Sequence, residues 1–307
     1  MKRDVKKPDM SVNIAGVELR NPVMTASGTF GSGMEYSEFV DLNHLGAVVT
    51  KGVASVPWEG NPTPRVAEVY GGMLNAIGLQ NPGIDVFIER DLAFLKQFDT
   101  KVIVNVCGHT EAEYLDVVER LADQDVDMLE INVSCPNVKQ GAIQFGQDPG
   151  CLEDITRKIK RIARQPVIMK LTPNVTDIAV MARAAEAGGA DALSLINTST
   201  GMKIDIEKRS FVLANKTGGL SGPAIKPVAV RMVYQAAQAV KIPIIGMGGI
   251  ACAEDAIEFL LAGASAVAVG AMNFHDPYLT QKVVDGIEQY LIRHNIAAVK
   301  ELTGAVK

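Results

Sequence analysis

The sequence predicts an α/β protein built as a closed (β/α)₈ TIM barrel. Eight short apolar runs recur along the chain, and helical patterns separate most of them. Most runs are rich in Val, Ile and Ala on both faces, as is typical of parallel strands that helices cover on both sides. An open doubly wound sheet is the alternative. No GxGxxG follows the first run, so the repeat favours the barrel.

The strands and helices follow from these patterns in chain order. The predicted strands are Val23–Ser27, Ala47–Lys51, Val102–Val106, Met128–Val133, Val167–Leu171, Ala192–Asn197, Pro243–Gly248 and Ala266–Ala271. The predicted helices include Glu111–Gln124, Leu152–Arg164, Ile178–Ala187, Lys226–Val240 and Ala253–Ala262. Glycine just past a helix end, as at Gly188 and Gly263, is a C-terminal stop signal.

Two segments lie outside the repeat. Val12–Leu19 predicts a small N-terminal β-hairpin that turns at Ala15 and Gly16, and we expect it to close the bottom of the barrel. Residues 52–82, rich in Pro and Gly, form an insertion after the second strand. No low-complexity segment or linker interrupts the chain, so we expect residues 1–307 to form a single barrel domain.

Composition limits the classes of function. The chain is 48% hydrophobic and 21% charged, with a formal net charge of -5, as in a soluble protein with a sizeable core. No long basic stripe is present, so nucleic acid is not an expected partner. The first residues, MKRDVKKPDM, lack the apolar stretch of a signal peptide or anchor. We therefore expect a cytoplasmic protein without a membrane partner.

The cysteines do not predict a metal centre. The four, Cys107, Cys135, Cys151 and Cys252, include no CxxC pair, and their spacings suit neither zinc nor an iron–sulfur cluster. Few cysteines in a long chain fit a reducing compartment.

Polar residues gather at the predicted strand ends, where barrels of this kind carry their function. These residues are Ser27, Lys51, Asn105, Asn132, Lys170 and Asn197. Taken alone, each Asn is more often a turn former and each Lys more often extends to solvent. Buried polar groups are costly unless paired, so the joint pattern predicts a polar ligand that pairs them.

Glycines at the last two strands predict a phosphate on that ligand. Gly248 and Gly249 end one strand, and Gly270 with Ala271 ends the next. Phosphate sites in these barrels commonly form at these two loops, and Gly222 can add a backbone contact. A cation such as Lys170 near a flavin would stabilise the reduced ring. The pattern alone does not distinguish flavin from another phosphorylated ligand.

Six motifs resemble class 1 dihydroorotate dehydrogenases over nearly the whole chain. They read GGMLNAIGLQNPG (71–83), INVSCPN (131–137), VIMKLTPN (167–174), INTSTGMKID (196–205), GGLSGPAIKP (218–227) and IPIIGMGGI (242–250). The resemblance implies an FMN-dependent enzyme that oxidises dihydroorotate to orotate in pyrimidine biosynthesis. Class 2 enzymes also carry an N-terminal apolar extension, which is not seen here.

The resemblance also assigns residues. The implied FMN shell comprises Ser27, Lys51, Gly52, Asn105, Asn132, Lys170, Ile196, Gly222, Gly248, Gly249, Gly270 and Ala271. The residues implied to hold dihydroorotate or orotate are Lys51, Asn75, Ala76, Ile77, Gly78, Leu79, Asn132, Asn197 and Thr198.

Cys135 matches the catalytic base of the family. Dihydroorotate must lose a hydride from C6 to FMN N5 and a proton from C5, and a thiol on the opposite face can take that proton. The glycine-containing loop after Cys135 would close over the substrate and exclude water. A small buried hydrophobe is the plainer interpretation of a lone cysteine, and it suits Cys107 and Cys252 better.

The stretches LNAIGLQNPG and INTSTGMKID look most like the B-type catalytic subunit. That resemblance implies a partner subunit carrying FAD and a [2Fe-2S] cluster, which passes electrons to NAD, in a heterotetramer around a homodimer of this chain. The A-type, a fumarate-dependent homodimer, is one alternative.

Three further alternatives stay open. A flavin-free barrel such as an aldolase would use Lys51 or Lys170 as a Schiff base. A binding barrel would hold FMN or orotate without turnover. A flavin domain that reduces other pyrimidines would leave Lys51 without a substrate carboxylate.

Overall fold

The computed structural model describes residues 7–133 and 145–306. Its strands are β1 (Val12–Ile14), β2 (Val17–Leu19), β3 (Val23–Thr25), β4 (Ala47–Val49), β5 (Val66–Val69), β6 (Gly72–Asn75), β7 (Lys101–Val106), β8 (Met128–Asn132), β9 (Val167–Lys170), β10 (Ala192–Leu195), β11 (Ser199–Met202), β12 (Ile204–Asp205), β13 (Ser210–Phe211), β14 (Thr217–Ser221), β15 (Ile244–Met247) and β16 (Ala266–Val269).

Eight of these strands close into a parallel barrel in the order β3-β4-β7-β8-β9-β10-β15-β16, with β16 pairing back to β3. Every residue of β4, β8 and β9 is buried, because side chains on one face fill the barrel and those on the other pack under helices. The predicted TIM barrel is confirmed, and each predicted strand range contains or overlaps one barrel strand.

Helices follow most barrel strands. They are α1 (Ile84–Val86), α2 (Ala93–Leu95), α3 (Glu111–Leu121), α4 (Pro149–Ile162), α5 (Ile178–Ala187), α6 (Lys226–Ala237), α7 (Ala253–Leu261) and α8 (Leu279–His294), and a π-helical turn, Phe87–Leu92, joins α1 to α2.

Side-chain caps fix the starts of three helices. The side chains of Thr110, Asp148 and Asp177 accept hydrogen bonds from backbone N–H groups in the first turns of α3, α4 and α5. α5 spans the predicted range, and Gly188 follows its last residue. α8 is additional to the predicted helices.

The N-terminal hairpin forms as predicted. β1 and β2 pair antiparallel, and Ala15 and Gly16 turn with φ of 53° and 89°. Ile14 and Leu19 are fully buried and belong to the main hydrophobic core, so the hairpin packs as part of the barrel.

The insertion after the second barrel strand contains structure that the sequence did not predict. β5 and β6 lie in it, and β6 pairs antiparallel with β14 from a segment far along the chain. The result is a four-stranded sheet in the order β11-β14-β6-β5 beside the barrel mouth. Ala67, Leu74, Ala76 and Leu213 form a small core of their own beneath it.

In residues 7–133 and 145–306, no helix has the length and apolar character needed to cross a membrane. The same residues contain no group of three or more His, Cys, Asp or Glu side chains placed to hold a metal ion.

Candidate active site

A cavity of about 460 Å³ opens at the C-terminal ends of the barrel strands, where the four-stranded sheet forms part of its wall. This volume lies in the range of about 300–1,000 Å³ typical of ligand pockets. The cavity brings together all the predicted site residues that the structure describes, namely Ser27, Lys51, Gly52, Asn75, Ala76, Ile77, Gly78, Leu79, Asn105, Asn132, Lys170, Ile196, Asn197, Thr198, Gly222, Gly248, Gly249, Gly270 and Ala271. Cys135 lies outside the described residues.

Lys170, which lines the cavity, is held by two side chains from other parts of the barrel. Its Nζ lies 3.0 Å from Ser27 Oγ and 3.1 Å from Glu130 Oε1. The side chains of Lys170 and Glu130 are 4% and 1% exposed, so this ion pair is buried. A charge in such a place needs a partner, and Glu130 supplies it.

Glu130 is the functional candidate that the sequence analysis missed. Its Oε1 also accepts a hydrogen bond of 2.6 Å from Asn105 Nδ2, and its Oε2 accepts one of 2.8 Å from Ser194 Oγ. The available signal was a lone acidic residue inside the apolar strand MLEIN. An acid there faces either the barrel interior or the helix layer, and both are dry, so it requires donors.

Asn105 presents an acceptor at the cavity wall. Its Nδ2 is engaged by Glu130, whereas its Oδ1 is buried and has no hydrogen-bond partner among the described residues. Because a buried polar atom without a partner is costly, this oxygen is suited to a donor on a ligand.

The amides of Asn132 and Asn197 lie against each other. Asn197 Nδ2 donates to Asn132 Oδ1 at 3.1 Å, and Asn197 Oδ1 accepts from the backbone N–H of Thr198 at 2.9 Å. The backbone carbonyl oxygen of Asn132 accepts a 2.7 Å hydrogen bond from the Tyr114 hydroxyl, which holds the residue in place. These contacts fix both amide orientations on the cavity wall.

Lys51 is a second, largely enclosed cation that lines the cavity. Burial is the main reason why the pKa of its ammonium lies below the ordinary 10.5. Cys107 raises this pKa, whereas the nearby charge of Arg65 lowers it further. A Cβ on Gly28 would lie 3.8 Å from Lys51 Nζ. The site therefore raises the free energy of a lone ammonium here, and an anionic ligand would relieve that cost.

Three glycines also line the cavity. Gly222, Gly248 and Gly249 have φ of 104°, 127° and 79°, which disfavour side chains. A Cβ on Gly249 would lie 2.8 Å from the Gly222 carbonyl oxygen. Glycine at these positions lets the backbones of these loops pack closely, and the backbone N–H groups of tight glycine turns can bind an anion such as a phosphate.

The added sheet and two neighbouring loops contribute wall residues that the prediction did not name as site residues. The sheet residues include Val66, Met73, Thr200, Thr217, Gly218, Gly219 and Ser221, and the loop residues are Asn174 and Asn215. Asn174 joins this wall to the barrel, because its Nδ2 donates to the Thr198 carbonyl at 3.1 Å and its Oδ1 accepts from the Thr200 N–H at 2.9 Å. Four of the quoted motifs contain six of these residues, and the long-range pairing that brings the strand residues among them to the cavity was the missing information.

The Leu195–Ile196 peptide bond is cis, and Ile196 lines the cavity.

Fold and cavity together define the class: a (β/α)₈ barrel with a polar ligand site at the C-terminal face of its strands. The model of the family Dihydroorotate dehydrogenase matches residues 9–291. The chain belongs to the dihydroorotate dehydrogenase family.

Relatives named "Dihydroorotate dehydrogenase B (NAD(+)), catalytic subunit" match nearly the full chain. The protein of Lachnoclostridium phytofermentans is 70% identical over 297 residues, which is 97% of this chain and 99% of that protein. The protein of Alkaliphilus oremlandii is 64% identical over 96% of this chain and 98% of its own length. The predicted family, and the likeness to B-type catalytic subunits within it, are confirmed.

A solved structure supports the fold. The crystal structure of the dihydroorotate dehydrogenase of Eimeria tenella in complex with ferulenol matches with a TM-score of 0.80 at 24% identity, covering 99% of this chain and 90% of that one.

Proposed function

We propose that this chain is the catalytic subunit of an NAD-linked dihydroorotate dehydrogenase, which oxidises dihydroorotate to orotate in the synthesis of UMP. The names of its near full-length relatives support this function. The observation that carries it is one cavity lined by two lysines, Lys51 and Lys170, together with the amides of Asn75, Asn105, Asn132 and Asn197. We further propose that residues 1–307 work as one flavoprotein domain in the cytoplasm; the low cysteine content, four in 307 residues, fits a reducing compartment.

The cavity fits FMN in three respects. The tight glycine turn at Gly248 and Gly249, which lines the cavity, suits a phosphate. The buried Asn105 Oδ1 suits a ring N–H, and the Lys170 ammonium suits a ring edge that becomes anionic on reduction. The residues proposed to hold FMN are Ser27, Lys51, Gly52, Asn105, Asn132, Lys170, Ile196, Gly222, Gly248, Gly249, Gly270 and Ala271.

The substrate would lie between the proposed FMN site and the added sheet. Lys51 would hold the carboxylate of dihydroorotate through a charge-assisted hydrogen bond, which its enclosed position strengthens. Asn75, Asn132, Asn197 and Thr198 offer the amide and hydroxyl groups that match the pyrimidine N–H and C=O groups. The backbone of Ala76, Ile77, Gly78 and Leu79 forms the adjacent wall.

The reaction requires C6 to lose a hydride and C5 to lose a proton, so that a C5–C6 double bond forms. FMN, when bound, supplies the hydride acceptor at its N5. Cys135 Sγ is proposed to take the proton from C5 on the other face of the ring. The support is its position three residues after Asn132, which lines the cavity. The fixed amides of Asn132 and Asn197 would hold the ring in register with both acceptors.

Electrons must then leave the site for NAD. We propose that a partner subunit with FAD and a [2Fe-2S] cluster carries them, in a heterotetramer around a homodimer of this chain. The words "NAD(+)" and "catalytic subunit" in the names of the relatives support this assembly. In the described residues, Cys107, Cys151 and Cys252 are not grouped as an iron–sulfur cluster requires.

The absorption spectrum of the purified chain tests the proposal. We expect flavin bands that bleach on anaerobic addition of dihydroorotate and do not bleach with dihydrouracil, which lacks the carboxylate for Lys51. A colourless protein that is trapped by borohydride in the presence of a carbonyl substrate would contradict the proposal and indicate a Schiff-base barrel. Flavin bands that no dihydropyrimidine bleaches would indicate a binding barrel.

A further inference from the structure

Glu130 is a buried carboxylate next to the cavity, and it is not among the described residues that line it. Its Oε1 contacts two side chains that do line the cavity, Asn105 at 2.6 Å and Lys170 at 3.1 Å. Because Oε1 accepts hydrogen bonds from both Asn105 and Lys170, Glu130 sets the distance between these two side chains although it does not itself line the cavity.

The carboxylate also selects the orientation of the Asn105 amide. With Nδ2 on Glu130, the Oδ1 atom is turned towards Gly52, where a Cβ would lie 3.2 Å from it. The opposite orientation would place Oδ1 against a carboxylate oxygen, and two acceptors at that distance repel. Glu130 therefore presents Asn105 to a ligand as an acceptor.

The negative charge of Glu130 also affects the electrostatic potential in the cavity. Glu130 and Lys170 are 1% and 3% exposed, so solvent screens their fields little. The carboxylate offsets part of the positive potential of the ammonium. Each member of the ion pair has a second partner. Ser194 Oγ donates to Glu130 Oε2 at 2.8 Å, and Lys170 Nζ donates to Ser27 Oγ at 3.0 Å.

We propose that Glu130 is a positioning residue of the cofactor site, which fixes Lys170 and Asn105 towards the cofactor and moderates the positive charge that the flavin ring experiences. This inference rests on the proposed function, since it takes FMN as the ligand. By this proposal Glu130, which lies outside the proposed FMN shell, helps to set the affinity for the flavin and its reduction potential.

The test compares Glu130→Gln with Asp91→Asn as a matched control. Asp91 is also a buried carboxylate, bonded to Ser32 at 3.0 Å and Arg90 at 2.7 Å, and it is not among the described residues lining the cavity. FMN dissociation is measured by flavin fluorescence, the midpoint potential by anaerobic titration with a reference dye, and stability by thermal melting.

For Glu130→Gln we expect oxidised FMN to bind about tenfold more weakly, because the charged anchor of two ligand-facing groups is lost. The anionic reduced ring is expected to keep its affinity, because removal of the carboxylate's repulsion offsets the lost anchoring. A tenfold difference between the two forms equals a rise of about 30 mV in the two-electron midpoint potential. Asp91→Asn is expected to lower stability alone.

An unchanged or lower midpoint potential in Glu130→Gln would overturn the inference, as would equal FMN binding in both variants. If Glu130→Gln does not fold, Glu130→Asp provides the test, because it keeps the charge and withdraws the oxygens by one methylene. Weaker FMN binding by Glu130→Asp supports positioning, and unchanged binding overturns it. Wild-type protein that binds no FMN would contradict the proposed function instead, so the two failures are distinguishable.

Discussion

The side-chain amide of Asn197 donates a 3.1 Å hydrogen bond to Asn132 Oδ1, and this bond joins the ends of two barrel strands, β10 and β8, that β9 separates. The second amide atom of Asn197 is also used, since its Oδ1 accepts from the Thr198 N–H. Both residues line the cavity, so the bond fixes how two amides face the proposed substrate.

Replacing Asn197 by Asp should weaken orotate binding more than replacing it by Ala. The carboxylate would set two acceptors against each other at Asn132 and add a negative charge near an anionic substrate, whereas Ala only removes the bond. We expect a loss of about 1–3 kcal/mol for Ala and more for Asp. Orotate titration of the oxidised flavin spectrum measures both, and equal or tighter binding by Asn197→Asp would contradict the assignment.

Cys135→Ala should leave FMN bound and slow flavin reduction by dihydroorotate by about 10² to 10⁴, the usual cost of losing a general base. Cys135→Ser should keep slight activity that increases at higher pH, because a hydroxyl is the weaker acid. Anaerobic stopped-flow reduction measures the rate. Cys252→Ala is the control, since Cys252 is an exposed thiol outside the cavity lining. Reduction of the Ala variant at the wild-type rate would remove Cys135 from the mechanism.

Lys51 should make orotate binding sensitive to alkaline pH. Burial lowers the pKa of Lys51 below 10.5, and a bound carboxylate raises it again by favouring the ammonium. Orotate therefore binds with its full affinity while the pH is below the lowered pKa of Lys51. Its affinity decreases as the pH rises through this pKa, which lies below 10.5. Lys51→Met should bind orotate about 10- to 150-fold more weakly at neutral pH and should lack this decrease. The same alkaline profile in both proteins would show that another group titrates.

Gly249→Ala should weaken FMN binding as well as stability. Both Gly249 and Gly304 have positive φ, at 79° and 69°, so alanine costs about 1–2 kcal/mol of strain at either position. A Cβ on Gly249 would meet Gly222 O at 2.8 Å and Lys226 N at 3.0 Å, whereas no described atom lies within 4 Å of one on Gly304. Gly304→Ala therefore isolates the strain. Equal FMN affinity in the two variants would contradict a phosphate site at Gly249.

The purified chain alone should reduce artificial acceptors and fail to reduce NAD. The reason is that the relay to NAD is proposed to belong to another polypeptide. Co-expression with a subunit carrying FAD and an iron–sulfur cluster should confer NAD reduction with dihydroorotate as donor. NAD turnover by the chain alone at the rate of the complex would remove the partner from the proposal. Turnover with fumarate would assign the protein to the A-type.

The sequence predicted the barrel because local patterns determine it. β-branched runs covered on both sides define strands such as Val167–Lys170, and capped amphipathic segments define helices such as Ile178–Ala187. Strand ends were less accurate: β10 ends at Leu195, two residues before the predicted Asn197. Backbone hydrogen bonds to the neighbouring segments continue at Ile196 and Asn197, but both residues already line the cavity.

Two parts of the site depend on partners that are distant in sequence, and no local pattern specifies them. β6 pairs with β14 through short, glycine-rich strands that read as loops. The role of Glu130 depends on its contacts with Lys170 and Ser194, which come from two other strands. The lysines and amides at strand ends were predictable because the barrel topology alone brings strand ends together.

The pairing of β6 with β14 also determines when the cavity can exist during folding. Asn75 and Gly219 meet across 144 residues of chain, so this wall of the site forms only after a very long loop has closed. Contacts of such separation slow folding, because chain entropy is lost before the contacts repay it. The barrel can gather its neighbouring strands step by step, but the wall of the proposed substrate site requires both distant segments. Recovery of orotate binding by a refolding chain would therefore report this late pairing, whereas recovery of the barrel strands would not.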